Sequence, residues 1–125
     1  MKLVSIEIAK KLKEKNFKEL CIACYDGSDM LSTYSSIFTP LNYNTGGATT
    51  TSAPLLDEVI DWFEKNHMIK ITSEHQSMTG MWFSSIWRFD LPNNIGKWSK
   101  INMIQSFQYK NEAIEKSIEE ALKLI

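Results

Sequence analysis

Cysteine is scarce in this 125-residue chain, with two residues against five glycines and three prolines. Two thiols three positions apart, Cys21 and Cys24, make no disulfide framework, so a reducing cytoplasm is the expected compartment. Excess charge of one sign is also missing: fourteen Lys plus Arg stand against fifteen Asp plus Glu, a formal net charge of -1. That balance gives no general attraction for phosphate backbones or anionic membranes. Between Glu19 and Glu64 there is no Lys or Arg at all. The basic residues of the first helix, Lys10, Lys11, Lys13, Lys15 and Lys18, alternate with Glu7, Glu14 and Glu19 and read as a solvated face. These patterns argue against nucleic acid as a partner.

Long apolar runs are absent too. Glu7 and the lysines from Lys10 interrupt the start of the chain before a signal peptide or membrane span could form, so no membrane role is expected. What remains is 43% hydrophobic and long enough for one domain, residues 1–125, with a real core.

Ser5 suits the N-cap of a first helix that carries Ile8, Ala9 and Leu12 on one side, and Asn16 suits its left-handed stop, with Phe17 folding back on Leu12. Residues 20–25 form a run of strand length. The turn signal Asp26-Gly27-Ser28-Asp29 follows, with a partner strand at 30–34. Residues 35–52 have no charge and no period and read as a long loop, in which Phe38 and Tyr43 are candidates for anchoring or for partner binding. A second helix is expected from an N-cap at Ser52, with Pro54 in its first turn, and Leu55, Leu56, Val59, Ile60, Trp62 and Phe63 on its apolar face. Asn66 is read as its stop.

Ile69, Ile71 and Ser73 then alternate with polar residues as a half-buried strand, and residues 75–80 are its turn. The next strand, 81–89, places Met81, Phe83, Ser85, Trp87 and Phe89 on one face and Trp82, Ser84, Ile86 and Arg88 on the other. After an irregular stretch at 90–99, one more strand at 100–108 would point Ile101 and Met103 inward, and a final helix at 109–125 aligns Ile114, Ile118, Ala121, Leu122 and Ile125. The class is α+β, three amphipathic helices packed on a small, mainly antiparallel sheet in the order α-β-β-loop-α-β-β-(β)-α. Glu-Lys-Asn closes both of the first two helices, at 14–16 and 64–66, as either a duplicated αββ unit or capping chemistry alone would produce.

Cys21, Cys24, His67 and His75 are the right residue types for zinc, but their spacing is not that of a zinc site. A Cys-x-x-Cys in an extended strand sends its sulfurs to opposite faces, and the histidines lie eight apart. The pair is read as small buried hydrophobes. A redox pair would need a helix N-terminus behind it, which is missing. No nucleophile elbow, phosphate loop or calcium loop is present, so no catalytic residue and no cofactor is assigned. Tryptophan and arginine are the residues that anchor interfaces most often. Trp82, Ile86 and Arg88 on one strand face, with Trp98 nearby, are therefore the leading partner-binding candidates unless a helix covers that face.

Residues 51–71, "TSAPLLDEVIDWFEKNHMIKI", and the ending "YKNEAIEKSIEEALKLI" at 109–125 resemble small uncharacterised proteins carried by prophages and mobile elements of gut anaerobic bacteria. The opening "SIEIAKKLKEKNF" fits their first helix. The resemblance implies an accessory phage or mobile-element protein and brings no catalytic residues with it. The function expected is non-enzymatic binding of a host or phage protein, with dimerisation left open. The alternatives are a nucleic-acid-binding domain in residues 53–125, whose order α-β-β-β-α is that of a double-stranded RNA-binding domain, and a small enzyme with an unrecognised site.

Overall fold

The computed structural model describes residues 2–32, 40–45, 49–89 and 98–125, without the side chains of 104–106. The chain is α+β and divides into two compact units, Met1–Val59 and Ile60–Ile125.

The first unit begins with α1, Ile6–Glu14. Ser5 Oγ accepts from the Ile8 N–H at 3.4 Å, satisfying one of the first-turn donors. At the other end Asn16 adopts φ 64°. Its N–H donates to the Lys13 carbonyl, and the Phe17 N–H donates to the Leu12 carbonyl at 3.0 Å. This is the Schellman stop that the sequence indicates, and Phe17 and Leu12 are both buried. Strand β1, Cys24–Tyr25, lies between β2, Leu31–Ser32, and β3, Thr51–Ser52, all antiparallel. The β1–β2 turn is held by Asp26, whose Oδ1 accepts from the Ser28 and Met30 N–H groups at 2.8 and 3.0 Å.

Ser52 is not the cap of the second helix. It sits in β3, and α2 runs over Leu56–His67. Backbone pairing explains the shift: the Val4 N–H donates to the Pro54 carbonyl and the Leu56 N–H to the Lys2 carbonyl, both at 2.9 Å, which keeps residues 51–55 extended. Glu58 Oε2 supplies the cap instead, accepting from the Leu55 N–H at 2.8 Å. Asn66 stays within α2, and the left-handed residue is Met68, φ 55°.

The described parts of the long loop are tied to their own unit. Asn44 Nδ2 donates to the Phe17 carbonyl, Asn44 Oδ1 accepts from the Ser52 N–H, and Ser52 Oγ accepts from the Tyr43 N–H. Tyr43, 8% exposed, is therefore a core residue and not a partner anchor. Phe38 lies outside the described residues.

In the second unit three strands pair in the order β4-β5-β6: Ile69–Gln76, Met81–Phe89 and Trp98–Phe107, all antiparallel. Helix α3, Lys110–Leu122, packs against all three. Its buried stripe of Ala113, Ile114, Ser117, Ile118, Ala121 and Leu122 has helical spacing. Small residues mark where it meets β5. Ser84 Oγ donates to the Ala113 carbonyl at 2.9 Å, and the Ser84 and Ser117 hydroxyls are hydrogen-bonded, so neither hydroxyl is orphaned at this seam.

The register of β6 corrects the inward placement of Ile101 and Met103, which are 45% and 41% exposed. Between Ile86 and Trp87 the partner residue jumps from Asn102 to Lys100, a bulge that breaks the two-residue period at Ile101. Ile86, at 0% exposure, is core beneath α3 and not part of an interaction patch. An Ile86→Ala substitution should cost about 2–5 kcal/mol, read as a lowered midpoint in urea denaturation.

Candidate functional site

With α3 on the face that carries Ile71, Ser84 and Ile86, the residues between them point to the other side of the sheet. Pairing sets this second face in rows. Lys70 on β4 is opposite Trp87 on β5, and Trp87 is opposite Lys100 on β6. The neighbouring row joins Phe89 to Trp98, and the row beyond joins Thr72 to Ser85 to Met103.

The side chains hold one another in place. Trp87 Nε1 donates to Thr72 Oγ1 at 3.0 Å, which fixes the indole plane. The Lys100 ammonium lies 4.9 Å from the Trp87 ring centroid, and the Lys70 ammonium lies 5.8 Å from that of Trp98. Phe89 and Trp98 meet at 5.2 Å with a 57° tilt. Lys70, Thr72, Glu74, Trp87 and Trp98 line an open groove of about 230 Å³. Trp87, Phe89 and Trp98 are half-buried.

Trp98 is thus the expected candidate that takes part in the groove. Trp82 is half-buried on the α3 side, with His75 at 5.0 Å and the Lys110 ammonium 5.6 Å from its ring. Arg88 is exposed on that same side, its Nη2 donating to the Leu124 carbonyl at 3.5 Å. Trp87, Lys70 and Lys100 were not indicated by sequence. Period-two alternation links Trp87 to Phe89, but the arrival of Lys100 beside Trp87 depends on the β5–β6 register.

The metal candidates are placed as follows. Cys21 and Cys24 are buried in the first unit. In the second, His67 closes α2 with its ring 4.6 Å from Trp62, and His75 is exposed on β4. Among the described residues no group of three or more His, Cys, Asp or Glu could hold a metal ion. Burial, reinforced by the negative charge of Glu58, pushes the Cys21 thiol up to about 12; burial and then Asp26 raise Cys24. Both thiols stay protonated at neutral pH and are poor nucleophiles. No helix among the described residues is long and apolar enough to cross a membrane.

No protein-family model, no curated protein and no solved structure matches the chain.

The Cys21 environment has a pH consequence of definite sign. Below the ordinary thiol value of 9.0 the group is neutral whether the chain is folded or unfolded and adds no pH dependence. Between 9.0 and about 12 the unfolded chain releases this proton while the folded one retains it, so stability falls as pH rises. Denaturant midpoints measured across that window should decline, and Cys21→Ala should flatten the decline.

Proposed function

We propose that the protein is a non-enzymatic interaction protein, an accessory component of a phage or mobile element, that binds another polypeptide through the outer face of the β4-β5-β6 sheet. The observation that carries this reading is the groove, built from two half-buried tryptophans braced by a hydrogen bond and two ammonium groups. Tryptophan held in a fixed orientation is a common hot-spot residue of protein interfaces.

Size and ring geometry favour a polypeptide over other ligands. At about 230 Å³ the groove is smaller than the clefts of roughly 300–1,000 Å³ that enclose small molecules, and it suits one or two side chains of a larger partner. Single-stranded nucleic acid binds by stacking bases on free aromatic faces, whereas here ammonium groups lie over the Trp87 and Trp98 rings. The accessory role rests on the resemblance of the helical segments alone.

A second reading rests on element order. From α2 to α3 the chain runs α-β-β-β-α, the order of a double-stranded RNA-binding domain, which grips phosphate partly through the start of its last helix. Here that helix opens on a single lysine, Lys110, followed by Glu112, so the charge pattern favours the protein-binding reading.

Capture from an extract of the native host tests both. The double variant Trp87→Ala/Trp98→Ala should lose roughly 30-fold or more of the captured polypeptide while its melting temperature stays within a few degrees of the parent. Trp82→Ala should leave capture intact. Undiminished capture by the double variant, or co-elution of RNA alone, would overturn the proposal.

A further inference from the structure

The charges around the groove say what kind of partner it fits. Lys70 and Lys100 stand in one row across the sheet, on either side of Trp87. Ion pairs elsewhere engage Lys10, Lys116 and Lys123; among the described residues neither Lys70 nor Lys100 has a carboxylate partner. Each ammonium rests instead over an indole. A cation–π contact of this kind is worth about 0.5–1 kcal/mol at an exposed site and leaves the ammonium able to donate to an incoming carboxylate. Among the described residues Glu74, two positions beyond Thr72 on β4, is the only acidic one in the groove wall.

Resting on the reading of this face as a binding surface, we propose that its occupant is an acidic, extended segment of a partner polypeptide, with carboxylates on Lys70 and Lys100 and an apolar side chain between them in the groove. The dimensions agree. Two strand spacings separate the Cα atoms of Lys70 and Lys100 by about 10 Å, while carboxylates at i and i+4 of an extended peptide lie about 13 Å apart on one face with residue i+2 between them. Lysine and glutamate side chains are long enough to absorb the difference. Glu74, four residues along β4 from Lys70, lies to one side of the Lys70–Lys100 row and disfavours a further carboxylate on that side.

The test uses the full chain labelled with ¹⁵N and a seven-residue peptide of pattern Glu-x-Leu-x-Glu, compared with its Lys-x-Leu-x-Lys counterpart and with oligothymidylate. Saturable shifts of the Trp87 and Trp98 indole signals with the glutamate peptide are expected, with affinity at least tenfold above the lysine peptide and falling as salt rises. In the variant Lys70→Glu/Lys100→Glu, folded by circular dichroism, the preference should reverse. Surface charge reversal leaves the hydrophobic core intact, so a folded variant is expected and the arm can be read.

Equal affinity for the two peptides, no binding up to millimolar concentration, or binding of oligothymidylate at the same indoles would overturn the acidic-segment proposal. If the peptides fail while the Trp87→Ala/Trp98→Ala variant still loses its captured partner, the inference about acidity falls and the broader protein-binding proposal survives. If both fail, both fall.

Discussion

A single helix can cover only one face of a three-stranded sheet, and the second unit is organised around that limit. Strand β5 carries large apolar side chains on both faces. Helix α3 lays its one apolar stripe against the face that presents Ile71 and Ile86. The close approach depends on Ser84 and Ser117, small enough to let the elements meet and hydrogen-bonded so that their hydroxyls are not buried unpaired. Every apolar residue of the opposite face must find other cover, and much of it comes from side chains of the face itself. The lysine stems and the Trp87–Thr72 bond are the visible part of that solution.

Much of this was legible in the sequence where the rule involved is local. Ser5 and Asn16 delimit α1 because capping and left-handed stops are decided within a few residues. The alternation of β4 and of β5, and the helical stripe of α3, follow from periods of two and 3.6. Readings failed where a distant segment decided the outcome. Ser52 has the chemistry of an N-cap, but pairing with residues near the N-terminus and with Cys24 draws it into a strand, and Glu58 takes over the cap. Ile101 and Met103 follow the alternation of an unbroken strand until a bulge, set by the β5 partner, turns them outward.

The site was half-legible for a related reason. Alternation separates Trp82, Ser84, Ile86 and Arg88 from Met81, Phe83, Ser85, Trp87 and Phe89, but it does not say which set the helix covers. Both sets contain tryptophan. Each set also has a serine at its centre, Ser84 in one and Ser85 in the other, so side-chain size does not choose between them; the helix lies on the Ser84 set, where Ser84 Oγ reaches the Ala113 carbonyl, and the set containing Trp87 faces the other way. Lys100 joins it only through pairing across a bulge. Tyr43 shows the converse: a large aromatic in an uncharged loop fits either an anchor or a contact surface, and polar contacts of Tyr43, Asn44, Thr50 and Ser52 fasten that segment down with the ring buried.

The same side chains that cover the open face set how it can be used. A bare pair of tryptophans on a sheet would attract any apolar surface. With ammonium groups over the rings, an apolar partner would have to displace or desolvate two cations to reach the indoles, which offsets part of what the apolar contact returns. A partner that brings acceptors for those cations escapes the penalty, and excluding water strengthens both the ion pairs and the cation–π contacts beneath them. In the proposed complex, selectivity would reside in the desolvation of Lys70 and Lys100, and the indoles would contribute mainly area. Such a division of labour would let a face be aromatic and open without being indiscriminate.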